Sequence, residues 1–494
     1  MKYISTRNGS LRLSAAQAIA AGLSPEGGLF LPEELPSFQP DEIQEMMGMD
    51  YQSRAAFVLT RFLPGFSREE LEEYTGKAYA SPKFPQSPAP VVSLKSGPHI
   101  LELFHGPTCA FKDFALQILP FLLTASLKKT GVRETVVILT ATSGDTGKAA
   151  LEGFAGVEGT KIGVFYPDGG TSEMQRLQMV TQSGENVAVF AAAGNFDDAQ
   201  NGVKRIFTDR EFAEELKKQG FLLSSANSIN WGRLVPQVAY YFSAYCDLCK
   251  QGHFTFGEKL NVTVPTGNFG NILAAYLAKQ CGLPLGKLIC ASNRNRVLTD
   301  FLSTGVYDRN REFYMTTSPS MDILISSNLE RLLYLLGGQP LVQRCMDALQ
   351  HQGKYEVEPG ILEQLQETFA CGSADDLETA QEIRWTYERD GYLCDPHTAV
   401  ALHVYEQYVQ QTGDSAPVLI ASTASPFKFA GTVLEALGHE ANPDPFQALE
   451  QLSHMAGKPV PAALASLAER PVRFQQVIAP AGMKEAVSKW LSES

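Results

Sequence analysis

Six short apolar runs, rich in β-branched residues, constrain the fold of this chain more than any other feature. They are TVVILT (135–140), KIGVFYP (161–167), NVAVFAA (186–192), LNVTVP (260–265), KLICAS (287–292) and APVLIAS (416–422). Helix-like stretches such as SEMQRLQMVTQSG and GNILAAYLAKQ separate several of them. Fully apolar strands that alternate with helices predict parallel sheets covered by helices on both faces, so we expect an α/β protein.

The length of the chain and its turn residues predict several domains. At 494 residues it exceeds the roughly 250–300 at which a single hydrophobic core usually stops growing. Residues 1–93 hold a Gly- and Pro-punctuated stretch, helical segments and the Pro-rich SPKFPQSPAP, and they predict an N-terminal domain. We expect a smaller α/β domain over 129–239 and a large domain from 94–128 and 240–494, with a helical insertion near 330–410.

Charge and cysteine content exclude several classes of protein. The net charge is −13 and there is no basic block, so nucleic acid is not an expected partner. Eight cysteines are too few for a disulfide scaffold, and the pair Cys246 and Cys249 is better explained as helix core than as a metal or redox site. Without a signal-like N-terminus or a membrane-length apolar run, we expect a cytoplasmic monomer or homodimer that has no metal.

The segment HGPTCAFKDFALQ (105–117) places a lysine in an apolar helix. A Gly-Pro turn precedes Thr108, a plausible N-cap, and the helix that follows is apolar almost all round. Lys112 then lies in the first turn of a buried helix, and the adjacent Asp113 points about 100° away from it. A buried ammonium without a partner tends to lose its proton, and a neutral amine is what Schiff-base chemistry needs. The alternative is a lysine whose head reaches water or a distant carboxylate. For the neighbouring His105 we favour packing or ring stacking over substrate contact.

Two loops between a strand and a helix are suited to anions. PTGNFGN (265–271) offers glycines for close approach, backbone N–H groups at a helix N-terminus, and the amides of Asn268 and Asn271. TATSGDTGKAA (140–150) gathers hydroxyl and backbone donors in the same setting, although Ser143 or Asp145 could simply cap the helix. Neither loop is a dinucleotide or nucleoside-triphosphate motif, because the required glycines are missing.

Two further segments end apolar strands with polar side chains. SSANSINWGRLVPQ (224–237) brings Asn227 and Ser228 close in sequence to Arg233, a combination suited to bidentate phosphate recognition or, alternatively, to an ordinary turn beside a solvated arginine. LIASTASPFKF (419–429) ends in hydroxyls that either cap the backbone or hydrogen-bond a heterocyclic nitrogen.

Taken together, these five segments resemble the threonine synthase family of fold-type II pyridoxal phosphate enzymes. The shared motifs are HGPT-x-AFKDFA, TSGDTG, NSINWGR and GNFGN in the family's order, with YISTR and GGLFLP near the N-terminus. The resemblance covers most of the chain and is weakest in 330–390. It implies a tryptophan synthase β-like fold, with two parallel-sheet domains that carry helices on both faces and an additional N-terminal domain.

The resemblance also implies roles for the matching residues. Lys112 would form a Schiff base with pyridoxal 5'-phosphate, and Thr423 would hydrogen-bond the pyridine nitrogen. The cofactor phosphate would be held by Gly267, Asn268, Phe269, Gly270 and Asn271. The amino-acid end of the substrate would be received by Ser143, Gly144, Asp145 and Thr146, and its phosphate by Asn227, Ser228 and Arg233.

The reaction implied by the family converts O-phospho-L-homoserine and water to L-threonine and phosphate. This is a γ-elimination followed by addition of water at Cβ, the final step of threonine biosynthesis, in a carbon–oxygen lyase that acts on a phosphate ester. One alternative is another fold-type II lyase, such as a serine/threonine dehydratase or an amino-acid phospho-lyase. A dehydratase of free amino acids has no need of Arg233 and Ser228 as a second phosphate site. Another alternative is a non-catalytic metabolite-binding homologue, against which an intact Lys112 argues.

Overall fold

The N-terminal region folds from two short strands and four helices. The computed structural model describes residues 1–142 and 144–493, with the backbone alone at Phe196 and Asp197. The first elements are β1 (Tyr3–Ser5), α1 (Ala15–Ala21), β2 (Phe30–Pro32), α2 (Pro40–Met46), α3 (Tyr51–Phe62) and α4 (Arg68–Tyr79). Their apolar faces share one continuous core with residues of the central region such as Trp231 and Tyr240. The N-terminal region therefore does not have a core of its own.

The next part of the chain builds a parallel sheet. In chain order its elements are β3 (Val91–Ser93), β4 (His99–Glu102), α5 (Lys112–Leu116), α6 (Leu119–Thr130), β5 (Thr135–Ala141), α7 (Asp145–Phe154), β6 (Thr160–Pro167), α8 (Glu173–Val180), β7 (Val187–Ala192), α9 (Phe196–Thr208), α10 (Arg210–Lys218) and β8 (Phe221–Ser224). Strands β7, β6, β5 and β8 lie side by side in that order, all parallel. The apolar runs predict the first three of these strands but not β8.

The remaining elements complete a second sheet. They are α11 (Trp231–Leu234), α12 (Pro236–Lys250), β9 (Leu260–Pro265), α13 (Gly270–Gln280), β10 (Leu285–Ser292), α14 (Val297–Thr304), β11 (Val306–Asp308), α15 (Leu329–Gln352), β12 (Lys354–Glu356), α16 (Pro359–Thr368), β13 (Phe369–Ser373), α17 (Asp376–Asp390), α18 (Pro396–Thr412), β14 (Val418–Ser422), α19 (Ala430–Ala436), α20 (Pro445–Ala456), α21 (Ala462–Ala465), β15 (Val477–Ile478) and α22 (Met483–Ser492). The six-stranded sheet has the order β13-β10-β9-β14-β4-β3, parallel except for β3 at its edge.

Three segments depart from the expected domain organisation. Strand β3 belongs to the six-stranded sheet, although residues up to 93 were assigned to the N-terminal domain. The helical insertion expected near 330–410 contains β13, which pairs with β10. At the C-terminus, β15 pairs with β7, so the last residues of 240–494 join the five-stranded sheet instead of the larger one. Helix α22 packs on that sheet because its apolar face lies in the same core cluster as β5 and β6.

The topology brings the predicted motifs to the carboxyl ends of strands. The loops after β5, β8, β9 and β14 each follow a parallel strand, and the first three lead into α7, α11 and α13. In open α/β sheets, ligands bind at these ends. Among the described residues, no helix combines the length and apolarity needed to cross a membrane.

Candidate active site

The segment that carries Lys112 pairs with the end of β14. The Phe111 amide donates to the Thr423 carbonyl at 2.9 Å, and the Ser425 amide donates to the Cys109 carbonyl at 3.1 Å. Cys109 adopts a left-handed conformation, with φ of 58°, as it enters this pairing. Backbone bonds therefore fix the start of α5 beside Thr423, the residue predicted to meet the pyridine nitrogen.

The turn before Lys112 is stabilised by Asp113. The prediction that Thr108 caps the helix is wrong, since α5 begins at Lys112 and has no side-chain cap. The Asp113 carboxylate instead accepts from the Thr108 amide at 2.9 Å and from its hydroxyl at 2.7 Å. Burial raises the pKa of Asp113 to about 6. A Cβ at Gly106 would lie 2.5 Å from Asp113 Oδ2, so the turn requires glycine there.

The Lys112 amine lies between a carboxylate and a hydroxyl. Its Nζ is 3.2 Å from Asp145 Oδ2 and 3.1 Å from Ser320 Oγ, and the lysine side chain is 10% exposed. Burial lowers the pKa of Lys112, the Asp145 charge opposes that shift, and the cations Lys428 and Arg233 add to it. The net shift favours the neutral amine expected from the sequence. The partner carboxylate comes from α7, and the sequence neighbour Asp113 does not contribute.

Asp145 is the most heavily bonded residue of the site. Besides Lys112, its carboxylate accepts from Lys428 Nζ at 2.5 Å and from Gln175 Nε2 at 3.1 Å. Burial alone would raise the pKa of Asp145, but the two lysines hold it well below its usual value. The carboxylate is therefore ionised, and the two lysine side chains share it.

Gly144 and Thr146 are the other residues of the TSGDTG loop with a predicted role that the structure describes. Gly144 has a φ of 145°, and a Cβ there would clash with the Gln175 side chain. Thr146 is half-buried in the first turn of α7, whereas Ser143 lies outside the described residues. The predicted role of this loop at the amino-acid end of the substrate stays a prediction.

Ser320 is held in place by a buried histidine. The Ser320 amide donates to His397 Nε2 at 3.1 Å, and His397 Nδ1 lies 2.6 Å from Asp395 Oδ2. Because a backbone N–H always donates, Nε2 must be the acceptor, and the ring proton is on Nδ1 facing Asp395. A Cβ at Gly267 would lie 2.8 Å from the Ser320 carbonyl, so the segment of Ser320 also packs closely on the glycine loop.

The glycine loop leads into a helix N-terminus that no described side chain caps. Helix α13 begins at Gly270 after Phe269, which has a φ of 60°, a strained conformation for a large side chain. Asn271 Oδ1 accepts from the hydroxyls of Tyr240 at 2.6 Å and Tyr241 at 2.5 Å. Its buried Nδ2 has no partner among the described residues. Free backbone donors and an oriented amide are what a phosphate needs.

The first half of the same loop is fixed through its backbone. The Gly267 carbonyl accepts from Ser326 Oγ at 2.8 Å, and the Asn268 carbonyl accepts from the Asn328 amide at 3.1 Å. The Asn268 side chain belongs to an exposed residue, so its predicted contact with the cofactor phosphate stays a prediction.

Arg233 is a buried cation without a described carboxylate partner. It is 6% exposed, and its Nη1 donates to the Ala226 carbonyl at 2.6 Å. Burial lowers its pKa to about 10, and its charge in turn acts on Lys112. Nearby in sequence, the half-buried Asn227 accepts from the Thr140 hydroxyl at 3.0 Å, and Ser228 is also half-buried. A guanidinium desolvated in this way is suited to bind an anion.

Thr423 supplies a hydroxyl that is free to bond a ligand. The residue is buried, and no described residue hydrogen-bonds to its side chain.

His105 is bonded, since its Nε2 lies 2.7 Å from Glu102 Oε2 and its ring is tilted on Phe104 at 4.8 Å. Its contacts agree with the packing and stacking expected for it.

Several residues of the site were not predicted from the sequence. Ser320, Gln175, His397 and Asp395 lie far from the recognised motifs, and no local pattern marks them. Lys428 lies inside LIASTASPFKF, where a lysine in an otherwise apolar turn after a buried strand was an unused signal.

Three family models match successive parts of the chain. The model described as "Threonine synthase N terminus" matches residues 2–79, "Pyridoxal-phosphate dependent enzyme" matches 100–423, and "Threonine synthase, C-terminal" matches 398–487. The second match covers more than half of the chain and confirms the predicted fold type.

Known proteins agree with these models over most of the chain. "Threonine synthase-like 1" of Pongo abelii is 42% identical over an alignment of 459 residues that covers 88% of this chain and 60% of that protein, so the chain spans about 60% of its length. "Threonine synthase" of Pseudomonas aeruginosa is 39% identical over 88% of this chain and 90% of its own. The crystal structure of PLP-bound threonine synthase from Brucella melitensis is 38% identical, covers 99% of both chains and has a TM-score of 0.87. The chain therefore belongs to the threonine synthase family of pyridoxal-phosphate-dependent enzymes.

Proposed function

We propose that this chain converts O-phospho-L-homoserine and water to L-threonine and phosphate, with pyridoxal 5'-phosphate bound at Lys112. The residues present fit this cofactor. Lys112 offers a buried amine with a lowered pKa, Asn271 has a buried amide donor without a described partner, and the Thr423 hydroxyl is available. When bound, the cofactor withdraws electrons from the amino-acid carbons next to the reacting nitrogen.

The residues around Lys112 would have separate roles in binding and in proton transfer. The N-terminus of α13 would hold the cofactor phosphate, and Thr423 would hydrogen-bond the ring nitrogen without protonating it. The Lys112 amine, placed between Asp145 and Ser320, would take and return protons at the substrate carbons. Arg233, with Asn227 and Ser228, would bind the phosphate that leaves.

The choice of substrate rests on the buried guanidinium of Arg233. Besides the cofactor phosphate, the proposed reaction needs a second phosphate site, and a buried arginine without a described carboxylate is suited to it. A dehydratase of free serine or threonine would have no use for such a charge. The names of the curated relatives support the same choice. A non-catalytic homologue is disfavoured, because the lowered pKa of Lys112 suits a reactive amine.

The direct test is to incubate the purified protein with pyridoxal phosphate and O-phospho-L-homoserine. We expect phosphate and threonine to appear in equal amounts, and Lys112→Ala to abolish both while the protein stays folded. Lys128→Ala, an exposed lysine on α6, is the matched control and should behave like wild type. Dehydration of free serine or threonine, or release of phosphate without threonine, would support the alternative lyases instead.

The cellular location and the assembly state stay predictions from the sequence. We propose a cytoplasmic protein that is a monomer or a homodimer. Cell fractionation and light scattering of the purified protein test the two statements separately.

A further inference from the structure

The two oxygens of the Asp145 carboxylate contact different lysines. Oδ1 lies 2.5 Å from Lys428 Nζ, and Oδ2 lies 3.2 Å from Lys112 Nζ. The side chains of Asp145 and Lys428 are 3% and 0% exposed. Lys428 Nζ also donates to the Thr108 carbonyl at 3.1 Å. One buried carboxylate is thus shared by two amines, and the closer contact belongs to the more deeply buried amine.

The charges in this group do not balance while both lysines are protonated. Two ammonium groups and one carboxylate leave a net positive charge in the interior, and Arg233 on α11 adds another that acts on Lys112. Of the remaining neighbours, Ser320 and Gln175 are neutral, whereas the buried carboxylate of Asp113 interacts with Lys428. Three cations and two carboxylates still leave an excess positive charge when Asp113 is ionised. A buried excess charge is relieved when one group loses its proton.

The hydrogen-bond partners of Lys428 and Lys112 indicate which of the two lysines loses its proton. Lys428 donates to two acceptors, a carboxylate and a carbonyl, and neither can donate back. Lys112 has a longer contact with the carboxylate, and its second partner is the Ser320 hydroxyl, which also lies 3.3 Å from Asp145 Oδ2. A hydroxyl can turn its proton towards the carboxylate or towards a neutral amine, so this contact does not require a protonated Lys112. Of the two lysines, Lys112 therefore has the surroundings that suit a neutral amine.

We propose that Lys428 is a positioning residue that acts through Asp145, because its buried ammonium balances the carboxylate and leaves Lys112 free to react as a neutral amine. The inference rests on the proposed function, in which Lys112 binds the cofactor. In that step the neutral amine adds to the aldehyde carbon of pyridoxal phosphate, and one molecule of water leaves as the carbon–nitrogen double bond forms. Without Lys428, Asp145 would retain Lys112 as its counterion and hold it protonated.

The test is the pH dependence of cofactor uptake by the apoenzyme. Pyridoxal phosphate is added to wild type and to Lys428→Met, and the rate of attachment is followed by visible absorbance over a range of pH. We expect the midpoint of the Lys428→Met profile to move to higher pH by about one to three units, the effect of a close opposite charge on an amine. Lys458→Met, which replaces an exposed lysine, should leave the midpoint unchanged. Coincident profiles for wild type and Lys428→Met would overturn the proposal.

A second variant tests the inference if Lys428→Met does not fold. Asp145→Asn removes the negative charge and preserves the shape, so the midpoint should move below that of wild type. Combining it with Lys428→Met should bring the midpoint back towards the wild-type value. An unshifted Asp145→Asn profile would equally overturn the proposal, since Lys428 is argued to act through that carboxylate.

The same measurement separates this inference from the proposed function. If wild type does not take up the cofactor, or Lys112→Ala takes it up as readily, the proposed function is wrong. If wild type attaches the cofactor at Lys112 while the Lys428 and Asp145 variants leave the midpoint in place, the role of Lys428 alone is wrong.

Discussion

Arg233 places a positive charge in the interior without a described carboxylate to balance it. Its hydrogen bond to the Ala226 carbonyl accounts for one of its five N–H donors. A buried cation of this kind usually destabilises a protein unless a ligand provides the missing charge. Function and stability should therefore respond in opposite directions when the charge is removed.

We predict that Arg233→Met loses activity without losing stability. The kcat/KM for O-phospho-L-homoserine should fall about ten- to hundredfold, the range expected for losing a hydrogen bond to a charged group. The melting temperature should stay the same or rise. Inorganic phosphate should raise the melting temperature of wild type but not of the variant. The control is Arg210→Met on the exposed face of α10. A lower melting temperature with unchanged kinetics would show that Arg233 is structural.

The sequence singled out Lys112 but not all of the residues that contact it. Lys112 could be selected as a lysine in an apolar helix, and Thr423 and Arg233 because each lies in a motif that follows a strand. Asp145 was selected for a role with the substrate, whereas its carboxylate is bound to two lysines. Contacts between distant segments, such as Ser320 with Lys112, depend on tertiary packing, and no local pattern in the sequence encodes them.

The segment between β11 and α15 is the element that brings Ser320 to the site. Asp322 anchors it by accepting from Asn293 Nδ2 at 2.7 Å and from the Thr316 hydroxyl at 2.8 Å. His397 on α18 holds it from the other side through the Ser320 amide. The position of a group that contacts the Lys112 amine is thus set by two elements of the large sheet domain.

We predict that His397→Phe impairs catalysis through this segment. The variant has a side chain of similar size but leaves the Ser320 amide without an acceptor, which costs about 1–3 kcal/mol when buried. The melting temperature and kcat should both fall, while KM changes less. Thr317→Ala is the matched control on the same segment, because its hydroxyl bonds Asp376 at an exposed position. Wild-type kcat in His397→Phe would show that the segment is held by other contacts.

Strand prediction succeeded where the apolar runs are long and failed where they are short. The six runs correspond to β5, β6, β7, β9, β10 and β14, with ends within two residues. Strand β13 reads FACGS, has polar and small residues and lies between helices, so its sequence gave no period-two or apolar signal. It becomes a strand because it pairs with the edge of β10.

At the scale of the whole molecule, the C-terminal strand β15 belongs to the five-stranded sheet, whose other strands lie between β5 and β8 in the chain. Strand β15 has two residues and pairs with β7, a partner that sequence reasoning cannot recognise over so long a separation. Helix α22 then covers the sheet with Met483, Val487 and Leu491, all buried. A Cβ at Gly202 on α9 would clash with the Met483 side chain, so the two helices are in close contact.

We predict that the C-terminal helix stabilises the sheet that carries the TSGDTG loop. Met483→Ala should destabilise the protein by about 2–5 kcal/mol, the range for truncating a buried methionine. Hydrogen exchange should show faster exchange in β7 and β6 as well as in α22, because they share one core. Lys489→Ala on the exposed face of the same helix should have no such effect, since that side chain is 71% exposed. Exchange that accelerates in α22 while β7 stays protected would mean that the helix lies on the sheet without supporting it. Loss of protection in β7 and β6 would mean that residues at the far end of the chain stabilise the sheet that carries the TSGDTG loop.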